Sequence, residues 1–153
     1  MTASILLVED DALISGLLEF HLKAEGYRID IAATVEDALT AIEARPPDLI
    51  LTDLGLPDED GLTLIRKVRT RSNVPIMVLS ARTTTEQRLA ALELGADDYL
   101  TKGVDPAELL LRIRNTLARA QSAAVGGAGQ RSAGTGGSEV SRFSGWTLDL
   151  AGF

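Results

Sequence analysis

The stretch Leu49 to Gly61, "LILTDLGLPDEDG", decides how the rest of the chain is read. Four apolar or β-favouring residues lead into Asp53, and a turn-forming cluster with Pro57, Asp60 and Gly61 follows at once. A short apolar run of this kind is a strand buried on both faces, yet this one ends on a charge. A buried carboxylate is strongly unfavourable unless something pairs with it. The strand is therefore expected to end at a cleft, with a cation waiting there.

Four similar runs lie outward from it: "ILLVE" (5–9), "RIDIA" (28–32), "PIMVLS" (75–80) and "DYLT" (98–101). Helix-like patterns separate them. In the first, Leu13, Leu17, Phe20 and His21 recur at spacings of three and four and are expected to face the core, with Gly26 as the stop. The second covers 35–44 with Ala38, Leu39 and Ile42 inward, and Pro46-Pro47 ends it. Leu62, Leu64, Ile65 and Val68 mark the third, and the fourth (84–94) ends at Gly95. The fifth starts near Pro106 behind Asp105 as cap and continues through Leu109, Leu110, Ile113 and Leu117. Strands alternating with helices make βαβ units, whose right-handed crossovers cover both faces of a parallel sheet. The expected fold is a five-stranded, doubly wound α/β domain, which binds ligands outside the carboxyl ends of its strands.

Composition narrows the chemistry. Zero cysteines exclude thiolate metal sites and a cysteine nucleophile, and His21 alone cannot build a zinc site. No apolar run is long enough for a membrane span, and the N-terminus lacks a signal-peptide pattern, so a cytoplasmic location is expected. The net charge of −7 lies wholly in residues 1–120, with 13 Lys+Arg against 20 Asp+Glu. Such a domain repels phosphate backbones and is not expected to bind nucleic acid by itself.

The strand C-termini collect a distinctive set. The first offers Glu9, Asp10 and Asp11, the third Asp53, the fourth Ser80, and the fifth Thr101 and Lys102. Taken singly each has a bland reading: Asp11 caps the next helix, Ser80 is a cap, and Lys102 is a solvated charge. Together they put acids, a hydroxyl and an amine at one edge of the sheet, with no such group expected at the other. Clustered carboxylates repel one another, and a hard divalent cation, most plausibly Mg2+, relieves the repulsion while taking a phosphoryl oxygen as a further ligand.

At this point "ILLVEDD", "DLGLPDEDG", "VLSAR" and "GADDYLTK" resemble the receiver domains of two-component response regulators, over residues 4 to about 120. The resemblance implies a flavodoxin-like sheet of order 2-1-3-4-5 with five helices. It implies Asp53 as phosphoacceptor, with Glu9, Asp10, Asp53 and the Gly55 carbonyl around Mg2+, Ser80 and Lys102 on the phosphoryl group, and Ser80 with Tyr99 as the switch. The donor is a sensor histidine kinase. The receiver is not an enzyme, assisting only its own phosphorylation and dephosphorylation. Within the OmpR/PhoB-type winged-helix subfamily, which Arg88, Glu93, Asp97, Asp98, Glu108, Arg112 and Arg114 resemble, phosphorylation drives homodimerisation through the fourth helix, fifth strand and fifth helix. Arg88 would pair with Glu108, Asp97 or Asp98 with Arg112, and Glu93 with Arg114 across a two-fold axis.

The Gly-rich segment 121–138 is expected to be a flexible linker after a receiver at 1–120. Residues 139–153, with "RFSGWTLDL", resemble the start of the subfamily's winged-helix DNA-binding domain, cut short at Phe153, so DNA would be contacted only by the missing remainder. Gly103 stands where the family has proline, which keeps open an alternative, a receiver acting as a phosphorylation-independent interaction module. Gly55 and Arg82 stand two residues beyond Asp53 and Ser80, bordering the path of hydrolytic water in the family. Two other readings are disfavoured. An aspartyl phosphatase needs a second acid two residues after its nucleophile, where Gly55 stands, and a nucleotide binder needs a phosphate cradle where "VEDDALI" is acidic.

Overall fold

A computed structural model describes residues 2–81 and 84–129, with side chains through Ser122. Ten elements alternate: β1 (Ser4–Val8), α1 (Ala12–Ala24), β2 (Arg28–Ala32), α2 (Val35–Ala44), β3 (Leu49–Thr52), α3 (Gly61–Arg69), β4 (Ile76–Ser80), α4 (Thr85–Leu94), β5 (Asp98–Thr101) and α5 (Pro106–Gly129). All strand pairs are parallel, in the order β2-β1-β3-β4-β5. The doubly wound expectation holds.

The period-two alternation of strand side chains divides the core. Leu6, Val8, Ile50, Ile76 and Val78 point to one face, where Ala38 of α2, Leu64, Ile65 and Val68 of α3, and Ala91 of α4 cover them. Ile5, Leu7, Leu49, Leu51, Met77 and Leu79 point to the other, beneath Leu22 of α1 and Leu109, Ile113 and Leu117 of α5. Because β1, β3 and β4 are flanked by strands on both sides and covered on both faces, their runs are continuously apolar.

The face assigned to α1 needs correction. Leu13, Leu17 and Phe20 are 82%, 58% and 69% exposed, whereas Ser15 and Leu22 are buried, with Leu18 packed beside Leu22 on the core. The helix is apolar over a wide arc, and the sheet takes the side on which Ser15 is also present, its hydroxyl donating to the Ala12 carbonyl at 3.3 Å. Residue spacing alone does not choose between two apolar sides.

The N-terminal edge of the sheet also carries acids, contrary to expectation, and they are structural. Asp48 Oδ2 accepts from the Ser4 amide at 2.8 Å. Asp97 Oδ2 accepts from the Ile76 amide (2.8 Å) and from Arg69 Nη2 (3.1 Å). The Arg69 guanidinium further donates to the carbonyls of Gly95, Ser72 and Val74, which ties the ends of α3 and α4 to the start of β5. Gly95 is needed there: its φ is +119°, and a Cβ would lie 2.8 Å from Arg69 Nε.

Residues Met1–Leu117 form one compact unit. α5 continues past it to Gly129, into the segment read as linker. The remainder of that segment, the whole of 139–153 and Arg82 lie outside the described residues. No helix among the described residues is long and apolar enough to cross a membrane.

Candidate functional site

Backbone pairing continues one step beyond each strand and thereby assembles the site. The Asp53 amide donates to the Val8 carbonyl at 2.9 Å, the Glu9 amide to Ala32 at 2.9 Å, and the Lys102 amide to Ser80 at 3.0 Å. Residues that follow β1, β3 and β5 are thus held side by side at the C-terminal edge, where the sheet order switches between β1 and β3.

Three carboxylates meet there. Glu9, Asp10 and Asp53 each offer an oxygen, all within 4.8 Å of one another. Glu9 and Asp53 are buried and Asp10 is exposed, so the cluster opens to solvent on one side. Lys102 Nζ bridges the two buried members, 2.9 Å from Glu9 Oε1 and 3.0 Å from Asp53 Oδ2. Burial alone pulls the Lys102 pKa down, but bonds to Glu9 and Asp53 and the charges of both outweigh it, leaving the amine above its ordinary value. The second oxygens are also engaged: Glu9 Oε2 accepts from the Asp11 amide (3.1 Å) and Asp53 Oδ1 from the Leu54 amide (2.7 Å). An all-oxygen, partly open set of this kind suits a hard divalent cation that keeps waters and shares a phosphoryl oxygen.

The other expected residues fall as follows. Ser80, the last residue of β4, is buried at 1% exposure. Tyr99 lies on β5, partly buried against the cluster that includes Val78 and Ala91. Gly55 is exposed on the β3–α3 loop and forms an isolated antiparallel bridge with Asp60. Gly103 has open space around it, and the bond before it is trans. Asp11 does cap α1, accepting from the Leu13 and Ile14 amides at 2.9 and 3.3 Å. Asp105 likewise caps α5 through the Ala107 amide at 2.8 Å.

The charges expected at a dimer face partly pair within the chain. Within the chain Arg112 binds Asp98 (3.1 Å) and Glu108 (3.1 Å), while Asp97 is held by Arg69. Arg88 and Glu93 are exposed on α4, as is Leu89 at 50%; Leu111, 46% exposed, lies on α5. Arg114 lies near enough to Tyr27 to oppose the rise in that phenol's pKa, which burial and then Glu25 cause.

One feature escaped the sequence reading. Beside the site, α1 and the start of α5 form a cavity of about 140 Å3 lined by Ile14, Leu17, His21, Lys102, Val104 and Pro106 among others. Exposed Leu13, Leu17 and Phe20 continue this apolar surface along α1. The signal was the excess width of the apolar arc on that helix.

The Response regulator receiver domain family matches residues 5–114. The KDP operon transcriptional regulatory protein KdpE of Escherichia coli is 41% identical over 148 residues, 97% of this chain and 61% of its own length. Transcriptional regulatory protein AruR of Pseudomonas aeruginosa is 37% identical, with 97% and 61% covered. The chain thus spans about three-fifths of the length of these relatives. Among solved structures, the BeF3-activated N-terminal receiver domain of Klebsiella pneumoniae RstA is 34% identical with a TM-score of 0.73, covering 74% of this chain and 97% of that one. A CheY-like receiver domain from Methanospirillum hungatei is 32% identical with a TM-score of 0.76, covering 80% and 98%. With the fold, the strand-end carboxylates and the match in agreement, the chain belongs to the response regulator receiver domain family, close to regulators of the OmpR/PhoB type.

Proposed function

We propose that this receiver, in the cytoplasm, accepts a phosphoryl group on Asp53 from a phosphohistidine of a sensor histidine kinase and relays the change through its α4-β5-α5 face. The observation that carries the reading is the trio Glu9, Asp10 and Asp53 gathered around one point, with Lys102 against two of its members. A carboxylate oxygen of Asp53 attacks phosphorus, the P–N bond to the imidazole breaks, and its electron pair leaves with the histidine. The transition state is loose, so the site's work is alignment and charge neutralisation. Mg2+ held by Glu9, Asp10, Asp53 and the Gly55 carbonyl would supply positive charge to the phosphoryl oxygens. Lys102 adds a fixed cation, and Ser80 a hydroxyl donor.

The acyl phosphate carries more charge than the carboxylate it replaces. Ser80 turns toward it, Tyr99 packs inward behind, and two pre-existing conformations are re-weighted. Leu89 and Leu111, exposed among the charges of α4 and α5, supply an apolar centre for a two-fold contact. Arg88–Glu108, Asp97 or Asp98 with Arg112, and Glu93–Arg114 would form its rim, with Arg112 released from its intrachain partners Asp98 and Glu108. Transcriptional control through DNA belongs to the length of the relatives that this chain does not span. The domain signals and does not turn over an external substrate. Sedimentation with Mg2+ and beryllium fluoride, a phosphoryl mimic, tests the coupling: a shift from monomer to dimer is expected for the wild type and none for Asp53→Ala. A dimer equally populated with and without the mimic would support the phosphorylation-independent alternative.

The apolar surface of α1 lies beside the mouth of the site, where a protein phosphodonor must approach, and it fits an apolar helical surface on the kinase. Leu17→Ser combined with Phe20→Ser should slow transfer from a phosphohistidine-bearing kinase domain about tenfold or more, because apolar anchors dominate such contacts. The rate with acetyl phosphate, which needs no docking, should stay unchanged. Equal slowing with both donors would show damage to the site rather than to docking.

A further inference from the structure

The β3–α3 loop, which carries Gly55, is fastened to a helix that otherwise has no part in the site. Asp58 Oδ1 accepts from the Val35 amide at 2.9 Å and Asp58 Oδ2 from the Glu36 amide at 3.1 Å. These amides open α2, and the first amides of a helix have no partner within it. The helix's own cap, Thr34, takes the next one, Asp37, at 2.9 Å. A carboxylate at the positive end of α2 is further favoured by the helix dipole. These bonds, Val35's foremost, hold the Asp58 carboxyl below its ordinary pKa of 3.8, so it is ionised throughout the neutral range.

The base of the loop is closed on itself. The Leu56 and Gly61 amides donate to the Leu54 carbonyl at 3.0 and 2.7 Å, and Gly55 bridges Asp60. Its crest, by contrast, is fastened to α2 through Asp58. In the proposed ligand set, Glu9, Asp10 and Asp53 follow directly on strands, whereas Gly55 sits on this loop.

We propose that Asp58 is a positioning residue that sets the affinity for the divalent cation: by clamping the loop to the α2 N-terminus it fixes the peptide of Gly55, whose carbonyl completes the ligand set. The inference rests on the metal reading above. Coupling is reciprocal, so cation binding in turn steadies the first turn of α2.

Calorimetric titration of MgCl2 into the full chain tests it, using wild type, Asp58→Ala, Asp58→Asn and Thr34→Ala. Removing a group that orients a ligand typically weakens metal binding by an order of magnitude or more, so Asp58→Ala should bind about tenfold more weakly. Asp58→Asn, which keeps one acceptor, should fall between and provides the test if the alanine variant does not fold. Thr34→Ala loses the other α2 cap without touching the loop: it should melt at lower temperature yet keep wild-type affinity. Phosphorylation of Asp58→Ala by acetyl phosphate should slow at limiting Mg2+ and recover at saturation. Amide exchange at Val35 and Glu36 should slow when Mg2+ is added to the wild type. A wild type that binds no Mg2+ defeats the metal reading itself. A wild type that binds it, with Asp58→Ala unchanged, Thr34→Ala equally weakened, or phosphorylation not restored at saturation, overturns the inference and leaves Asp58 a helix cap.

Discussion

Lys102→Met should reduce the rate of phosphoryl transfer to Asp53 about a hundredfold, the usual cost of removing one preorganised group that meets developing charge. The side chains of Glu9 and Asp53 are only 3% and 8% exposed, and the Lys102 amine stands against both. Methionine keeps the length of the stem and removes the charge. Two buried carboxylates then face each other without a counter-ion, and in the absence of metal nothing relieves their repulsion. Stability should fall as well. A broken buried pair costs about 3–5 kcal/mol, but the Lys102 side chain is 21% exposed and solvent screening lowers that to roughly 1–2 kcal/mol. Mg2+ should recover most of this loss, since a divalent ion neutralises the same acids. Denaturant melts of both proteins with and without Mg2+ check the stability, and acetyl phosphate kinetics check the rate. An equal loss of stability in both conditions would mean that Lys102 and the ion do not act on the same carboxylates.

The largest structural effect is expected at Gly61. A Cβ there would collide with the Asp53 carbonyl oxygen and lie 2.6 Å from Leu54 Cα, both of them backbone. No side-chain rotation relieves that contact, so either α3 retreats or the end of β3 moves, and with it the carboxylate of Asp53. The Gly61 amide would also lose its 2.7 Å bond to the Leu54 carbonyl. Gly61→Ala should cost about 3 kcal/mol or more, at the upper end for overpacking, and phosphorylation should fall in parallel. Gly16 supplies the contrast, since nothing lies within 4 Å of a Cβ there. In the exposed middle of α1, Gly16→Ala should stabilise by about 0.5–1 kcal/mol and leave phosphorylation untouched. Melting both variants beside the wild type checks the pair.

Much of this was legible in the sequence, for reasons that can be named. Each strand is a short apolar run between turn signals, and α2 is placed at 35–44, where it lies, because Ala38, Leu39 and Ile42 keep helical spacing and Pro46-Pro47 stops the pattern. The strand-end acids were legible because a charge that ends a buried run needs an explanation. Contacts distant in sequence and away from the C-terminal strand ends were not legible. Asp58 meets Val35 and Glu36 across more than twenty residues, and Asp97 meets Arg69 across 28. Nothing in a motif says that Asp97 is held by an arginine while its neighbour Asp98 binds Arg112. The α1 face went astray because Leu13, Leu17 and Phe20 carry the stronger apolar spacing, while the buried side includes a serine.

The central claim is that Asp53, set among neighbouring acids, is the residue that attacks phosphorus. Intact mass after treatment with acetyl phosphate and Mg2+ tests it most directly, on wild type and Asp53→Ala side by side. A gain of about 80 Da, one phosphoryl group on an aspartyl carboxylate, is expected in the wild type alone and should vanish when EDTA replaces the metal. The same gain in Asp53→Ala, or no gain in the wild type, would contradict the account.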